Sequence, residues 1–464
     1  MAAPTYDELV ALVDSLRASV ARLEADNARL QAELEAARRA GKRQAAPFRK
    51  GLPKSDPQTP GRKSGDVHGL HGHRPPPSPG QIQETHEAVL PAACPHCGGG
   101  VAETSHVEQF QTDIPRRPIV RCFRIPVGHC QRCGKRVQGR HPLQTSDAVG
   151  AAASQLGPEA QAAAVLLNKQ AGLSHGKVAA CFQALFGITV TRGASAQIGL
   201  RAATRLGPVH QAILQDLRES EQLKVDETGW RIGGHPAWLH AWVGDRATGY
   251  AIDPQRSAAV LEPVIGRDWD GVLVHDGFAS YDRFAEAIHQ QCVAHVLRRA
   301  HELLAVAARG AVHFPRHVIA LFTAAIHLKN QYHAGAVPVE TVWAARDAFD
   351  ERLLDLAARP RVVPAYQTLA EHLWRHAESW FSFLTAPSIP ATNWPAEQAI
   401  RPAVVNRKVW GGNRTAAGAA AQGVLLSVIE TCRRQTRSAL DFVSETLRAF
   451  GNRLLSPPVL LLSR

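Results

Sequence analysis

No apolar run in this 464-residue sequence reaches the roughly 18–20 residues that a membrane span requires. The opening stretch from Met1 to Asp14 lacks the basic-then-apolar order of a secretory signal, so the expected compartment is the cytoplasm. Cysteine is too sparse for a disulfide framework: there are eight, and four of them fall in two Cys-x-x-Cys pairs. Acids are in deficit, with 41 Asp and Glu against 53 Lys and Arg, for a formal net charge of +12. Such a surplus suits a polyanionic partner, because each cation set on a phosphate releases condensed counterions. It is equally what an Arg- and Ala-rich, GC-rich coding sequence produces without such a partner. A hydrophobic content of 45% and a charged content of 20% describe a soluble globular chain. Its length allows two to four structural units.

The first segment, 1–40, carries a heptad pattern. Leu9, Leu16, Leu23 and Leu30 recur every seven residues, with Val13, Val20, Asn27 and Leu34 between them. This is the a/d spacing of a short coiled coil, and Asn27 at an a position favours an in-register pair. A homodimer through this zipper is therefore expected. From 41 to 90 the composition turns basic and rich in Gly and Pro, ending in Pro75-Pro76-Pro77-Ser78-Pro79, which reads as a linker.

The segment 91–145 holds Cys94-Pro95-His96-Cys97-Gly98 and Cys130-Gln131-Arg132-Cys133-Gly134. Two thiolates two residues apart face one ion, and the glycine admits the tight turn. Cys94, Cys97, Cys130 and Cys133 are expected to close one tetrahedral Zn²⁺ site, structural because four thiolates leave no open position. His96, Cys122 and His129 are read as bystanders.

Segment 146–215 reads as successive helices, with starts at Pro158, Ser174 and Thr191 and a Gly187 turn. That order is compatible with a helix-turn-helix DNA reader or with a plain helical connector. From 216 to 440 the pattern is mixed α/β. Leu223–Asp226 is predicted as a short strand ending on an acid, followed by strands at Trp238–Val243 and Gly249–Asp253. A helix at Ser257–Ile265 and a strand running up to Asp276 come next. This is the opening order of a ribonuclease-H-like domain, with two acids at neighbouring strand ends. A third acid, Glu397, sits in the first turn of a helix starting near Pro395, beside a basic stretch. Crowded carboxylates suit hard divalent cations, and two such ions assist attack on a phosphodiester. Asp245, Asp253, Asp268 and Asp270 lie near turns and are read as structural, and 441–464 is expected as a tail.

Several motifs together are family-specific: Val225-Asp226-Glu227-Thr228-Gly229-Trp230, Val274-His275-Asp276-Gly277 with Tyr281, Cys292-Val293-Ala294-His295, and Asn393-x-x-x-Glu397-x-x-x-Arg401-Pro402 with Arg407-Lys408. In these the chain resembles transposases of the insertion-sequence 66 family, a branch of the DDE transposases, over nearly its whole length. The resemblance implies Asp226, Asp276 and Glu397 as a catalytic triad binding two Mg²⁺ or Mn²⁺ ions. It also implies a helical insertion, placed here at about 283–385. It implies DNA partners (element ends and target) and companion proteins from the same element. Arg401, Arg407 and Lys408 then look like phosphate contacts, or else surface charges. Cys292 and His295, one helical turn apart, form either a pair beside the triad or ordinary core. Trp394 and Gln398 stand where the family pattern leads one to expect an Asn and an Arg, which bears on DNA fit rather than on metal binding. The expected activity is 3′-end hydrolysis and strand transfer. Two alternatives stay open: a catalytically inactive DNA-binding derivative, and a nuclease without strand transfer.

Overall fold

The computed structural model describes residues 6–41, 76–307, 311–451 and 455–460, apart from 87, 103, 106, 113, 115–117 and 387. By contacts the chain divides into two units, Met1–Pro47 with Arg121–Arg464, and Phe48–Val120. Most of the expected linker, over 42–75, falls outside the described residues.

In the smaller unit the first Cys-x-x-Cys forms a knuckle. Cys94 N donates to Gly99 O and Gly98 N to Cys94 O, both at 2.8 Å, and Gly98 takes φ +75°, a left-handed value that glycine adopts freely. The second pair builds the same knuckle at the tip of a hairpin in the larger unit, β1 (Val127–His129) with β2 (Arg136–Gln138). There Cys130 N donates to Lys135 O at 2.9 Å, Gly134 N donates to Cys130 O at 2.8 Å, and Gly134 has φ +71°.

The larger unit begins with α1 (Tyr6–Gly41), one unbroken helix over the heptad segment. Val13, Leu16, Val20, Leu23 and Leu30 are exposed on it, while the side chains of Leu9 and Leu34 lie outside the described residues. Helices α2 (Pro158–Lys169), α3 (His175–Phe186), α4 (Arg192–Arg205) and α5 (Gly207–Arg218) follow. Their starts obey local chemistry. Ser174 accepts from Lys177 N and Thr191 from Ala194 N, each satisfying an otherwise orphaned first-turn amide, and Gly187 closes α3 in a left-handed conformation.

Next come β3 (Gln222–Ile232), β4 (His235–Val243), β5 (Thr248–Asp253), α6 (Ala258–Ile265), β6 (Val272–His275) and β7 (Ile288–Gln291). They form one sheet in the order β5-β4-β3-β6-β7, antiparallel among β3, β4 and β5 and parallel from β3 through β6 to β7. Here the structure corrects a sequence expectation: β3 does not end on Asp226 but runs six residues further. The reason is the two-residue turn Gly233-Gly234, at φ +59° and +87°, which folds β4 straight back on β3 and keeps its far half paired.

After β7 the chain leaves the sheet for α7 (Val293–Ala305), α8 (His313–His333), α9 (Val339–Ala358) and α10 (Pro364–Arg375). These have their own core, with Phe322, Phe381, Phe383 and Trp380 stacked at its centre. The chain then returns through α11 (Trp394–Trp410), α12 (Ala416–Arg434) and α13 (Ala439–Gly451). α11 lies across β3 and β4. α12 covers the outer strand β5, where Ser427 Oγ accepts from Tyr250 N and Thr431 Oγ1 from Thr248 N, so the buried sheet edge keeps no bare amide at these positions. α2, α4 and α5 share one core with this sheet and α12. The stretch expected as a tail begins instead with α13, which packs on α2 through an amphipathic face carrying Phe442, Val443 and Leu447. Among the described residues no helix is long and apolar enough to cross a membrane.

Candidate active site

The last β3–β6 pair is Lys224 with Val274. Two residues beyond it on each strand stand Asp226 and Asp276, so parallel pairing delivers both acids to the same end of two neighbouring strands. The Asp226 carboxylate accepts from Glu227 N at 2.9 Å and that of Asp276 from Phe278 N at 3.0 Å.

Glu397 arrives from the other direction, in the first turn of α11. The start of that helix is pinned by Asn393, which is fully buried. Its side-chain amide donates to Val225 O at 2.5 Å, immediately before Asp226, and its backbone N–H donates to Cys292 Sγ at 3.1 Å. Cys292 N in turn donates to His275 O at 2.7 Å, immediately before Asp276. One buried asparagine and one buried thiol thus stitch together the three places from which the acids project.

The electrostatics follow. Burial pushes the Asp226 carboxyl up to about 8, with Asp276, Glu227 and Glu397 adding to the rise and the bond from Glu227 N opposing it. Three acids drawn from β3, the end of β6 and α11 are therefore electrostatic neighbours. On Glu397, His295 Nε2 lies at 3.1 Å and Arg298 Nη2 at 3.6 Å from the same oxygen. Both come from α7, three residues apart on one face.

Behind Asp276 two histidines are fixed as neutral rings. His289 Nε2 lies 2.8 Å from Phe284 O, to which it can only donate, so its Nδ1 accepts from His275 Nε2 at 2.8 Å. The remaining nitrogen of His275 accepts from Gly277 N at 3.1 Å. Burial, then His289, His376 and His372, holds the His275 pKa far below its ordinary value. Gly277 itself has φ +83°, and a Cβ there would stand 2.7 Å from both Gln291 Oε1 and His372 Cε1. Only glycine fits this turn.

The other residues singled out by sequence divide. Cys292 is core, its thiol pushed up by burial, and it also anchors α11; His295 is not core but rests on Glu397. Arg401 and Lys408 are exposed on α11. Arg407 is partly buried and engaged within the protein. Its guanidinium donates to Gly229 O and to Thr228 Oγ1, tying α11 to β3, and burial lowers its pKa. Sequence reasoning assigned no role to Asn393 or Arg298. The only available signals were the three-residue step from His295 to Arg298 and an Asn just before a helix.

Among the described residues no group of three or more His, Cys, Asp or Glu side chains is so placed that it could hold a metal ion. The neighbours that act electrostatically on Asp226 are themselves carboxylates, the donor type hard divalent cations take. At the knuckles, backbone N–H groups of His96 and Cys97, and of Cys133 and Arg132, lower the pKa of Cys94 and Cys130 respectively, which favours the thiolate a soft metal takes.

A search of curated proteins gives no match. The family model described as Transposase IS66 family matches residues 153–421, more than half of the chain and a span that includes Asp226, Asp276 and Glu397. The chain belongs to the transposase IS66 family.

Proposed function

We propose that this protein is a DNA transposase that hydrolyses the 3′ ends of an insertion sequence and joins them to target DNA, using Asp226, Asp276 and Glu397. The observation that carries the reading is the placement of Asp226 and Asp276 at the same end of two neighbouring strands with Glu397 near enough to act on Asp226, whose carboxyl is pushed up to about 8 by burial first and by these acids second. The sheet order β5-β4-β3-β6-β7, three antiparallel strands continued by two parallel ones, supports a ribonuclease-H-like catalytic domain carrying α7–α10 as its insertion.

The three carboxylates would hold two Mg²⁺ or Mn²⁺ ions. When bound, such ions activate the attacking water or 3′-hydroxyl and stabilise the leaving oxygen. His295 and Arg298 orient Glu397, and Asn393 fixes the helix that presents it. Arg401 and Lys408 bind backbone phosphates, whereas Arg407 holds the scaffold. The knuckles of Cys94 and Cys97 and of Cys130 and Cys133 each offer a pair of thiolates to structural Zn²⁺, and α1 pairs with a second copy through its exposed leucines.

The test is cleavage and strand transfer on labelled DNA carrying the flanking element's ends, with Mg²⁺ or Mn²⁺. Activity that requires the metal and is lost in Asp226→Asn and Glu397→Gln is the expected result. DNA binding with no cleavage, unchanged by either substitution, overturns it in favour of a DNA-binding derivative.

A further inference from the structure

Successive residues of a strand point to opposite faces, so Glu227 is directed away from its neighbour Asp226. Its side chain is 1% exposed. Arg256, in the turn before α6, donates to Glu227 Oε1 through Nε at 2.7 Å and also through Nη2. The Tyr281 hydroxyl donates to Glu227 Oε2 at 2.6 Å. The Arg256 guanidinium also lies over two aromatic rings, 4.6 Å from the centroid of Trp238 on β4 and 3.8 Å from that of Phe278. Ser280 Oγ donates to Arg256 O at 3.5 Å.

These contacts form a continuous path between the two aspartates. Asp276 accepts from Phe278 N, the Phe278 ring carries Arg256, Arg256 holds Glu227, and Glu227 is bonded in sequence to Asp226. The turn after β6 is otherwise outside the sheet ladder, since pairing between β3 and β6 stops at Lys224 and Val274. Two ions roughly 3.5–4 Å apart require carboxylates held at fixed separation. A buried ion pair adds little net stability relative to apolar packing, but it does define one arrangement of its elements.

We propose that Arg256 is a positioning residue for the metal site: through Glu227, Phe278 and Tyr281 it fixes Asp276 against Asp226, and divalent-cation affinity depends on it. This rests on the reading of the two aspartates as metal ligands. The same chain contains an internal control. Asp216 on α5, equally shielded, is paired with Arg246 of the β4–β5 turn, a buried ion pair outside this path.

The experiment is Mn²⁺ binding by calorimetry on the full chain, with melting temperature measured in parallel, for wild type, Asp226→Asn, Arg256→Lys, Arg256→Gln, Tyr281→Phe and Arg246→Gln. Both Arg256 variants are expected to weaken the Asp226-dependent Mn²⁺ binding by about tenfold or more, the usual cost of losing a residue that orients a ligand. Tyr281→Phe weakens it less, and Arg246→Gln lowers the melting temperature with Mn²⁺ affinity unchanged. Wild-type affinity in the Arg256 variants overturns the inference, as does an equal loss in Arg246→Gln, which would mark general destabilisation. If Arg256→Gln does not fold, Arg256→Lys and Tyr281→Phe decide the matter, and wild-type affinity in both overturns it. Mn²⁺ binding by wild type that Asp226→Asn leaves unaltered removes the triad reading itself, and this inference with it.

Discussion

Two neighbouring acids on β3 have opposite surroundings. Glu227, on one face, is buried against an arginine and a tyrosine hydroxyl that supply every bond its carboxylate needs. Asp226, on the other, is buried among further carboxylates, with only the amide of Glu227 bonded to it among the described residues. A buried charge is tolerated when its counter-ion is built in. Where the chain supplies none, a cation from outside would complete the site, as proposed above for Asp226. The difference between the two faces therefore separates scaffold from candidate chemistry more sharply than burial does, since both acids are shielded.

The largest way to break that comparison is to neutralise each acid in turn. Glu227→Gln strands Arg256 and is expected to cost about 3 kcal/mol. Asp226→Asn removes carboxylate repulsion and is expected to stabilise the metal-free protein by about 1 kcal/mol, raising the melting temperature about 2 °C. Thermal melts in chelator check both, and equal signs for the two would erase the distinction.

A third buried charge sharpens it. Among the described residues the side chain of Lys169, at the end of α2, meets no carboxylate: it donates to Gln422 Oε1 at 2.5 Å and lies 5.4 Å from the Trp410 ring centroid. Burial lowers its pKa from 10.5 to about 8. Below about pH 8 the amine is charged in both folded and unfolded chains, and the burial cost is constant. Between about 8 and 10.5 the unfolded chain binds more protons, so stability rises with pH, by up to about 3 kcal/mol. Lys169→Met is expected to abolish that rise, read as the difference between the pH profiles of melting temperature for the two proteins.

The turn after β6 serves both faces, through Asp276 on one and Phe278 and Tyr281 on the other. Gly277→Ala forces a side chain into a left-handed position already crowded by Gln291 and His372. A loss of about 1–3 kcal/mol is expected in denaturant unfolding. The smallest effects belong to α11. Arg401→Ala and Lys408→Ala should each reduce the salt slope of DNA binding by about 1 with little change in stability. Arg407→Ala should do the reverse, lowering stability by roughly 1–3 kcal/mol through the backbone and hydroxyl contacts it loses.

Much of the fold was legible because its signals are local. A heptad repeat, a Ser or Thr before a helix and a glycine after it each act within a turn or two, and α1 to α4 follow them closely. The strand at Asp226 was misjudged at its far end. Its extension depends on pairing with β4 across Gly233-Gly234, and β7 was missed because Ile288-His289-Gln290-Gln291 has one apolar residue, where the equally short β6 has three. The contacts of Arg407 were not legible for a similar reason: a cation in a basic stretch gives no sign that a carbonyl on another element waits for it.

What the sequence by itself determined is the inventory and its order: a heptad-patterned helix, two Cys-x-x-Cys knuckles, a run of capped helices, and three acids in motifs that mark the family. These depend on spacings that do not change when the chain folds. Only the tertiary structure decided which charges meet. That Asp226 stands among the carboxylates of Asp276 and Glu397 while Glu227 takes Arg256, that His295 rests on Glu397, and that Asn393 ties α11 to β3 all join residues from 29 to 171 positions apart. A pairing at that range is set by sheet register and helix placement, because the electrostatic and hydrogen-bonding forces concerned act over a few ångströms and leave no periodic trace along the chain.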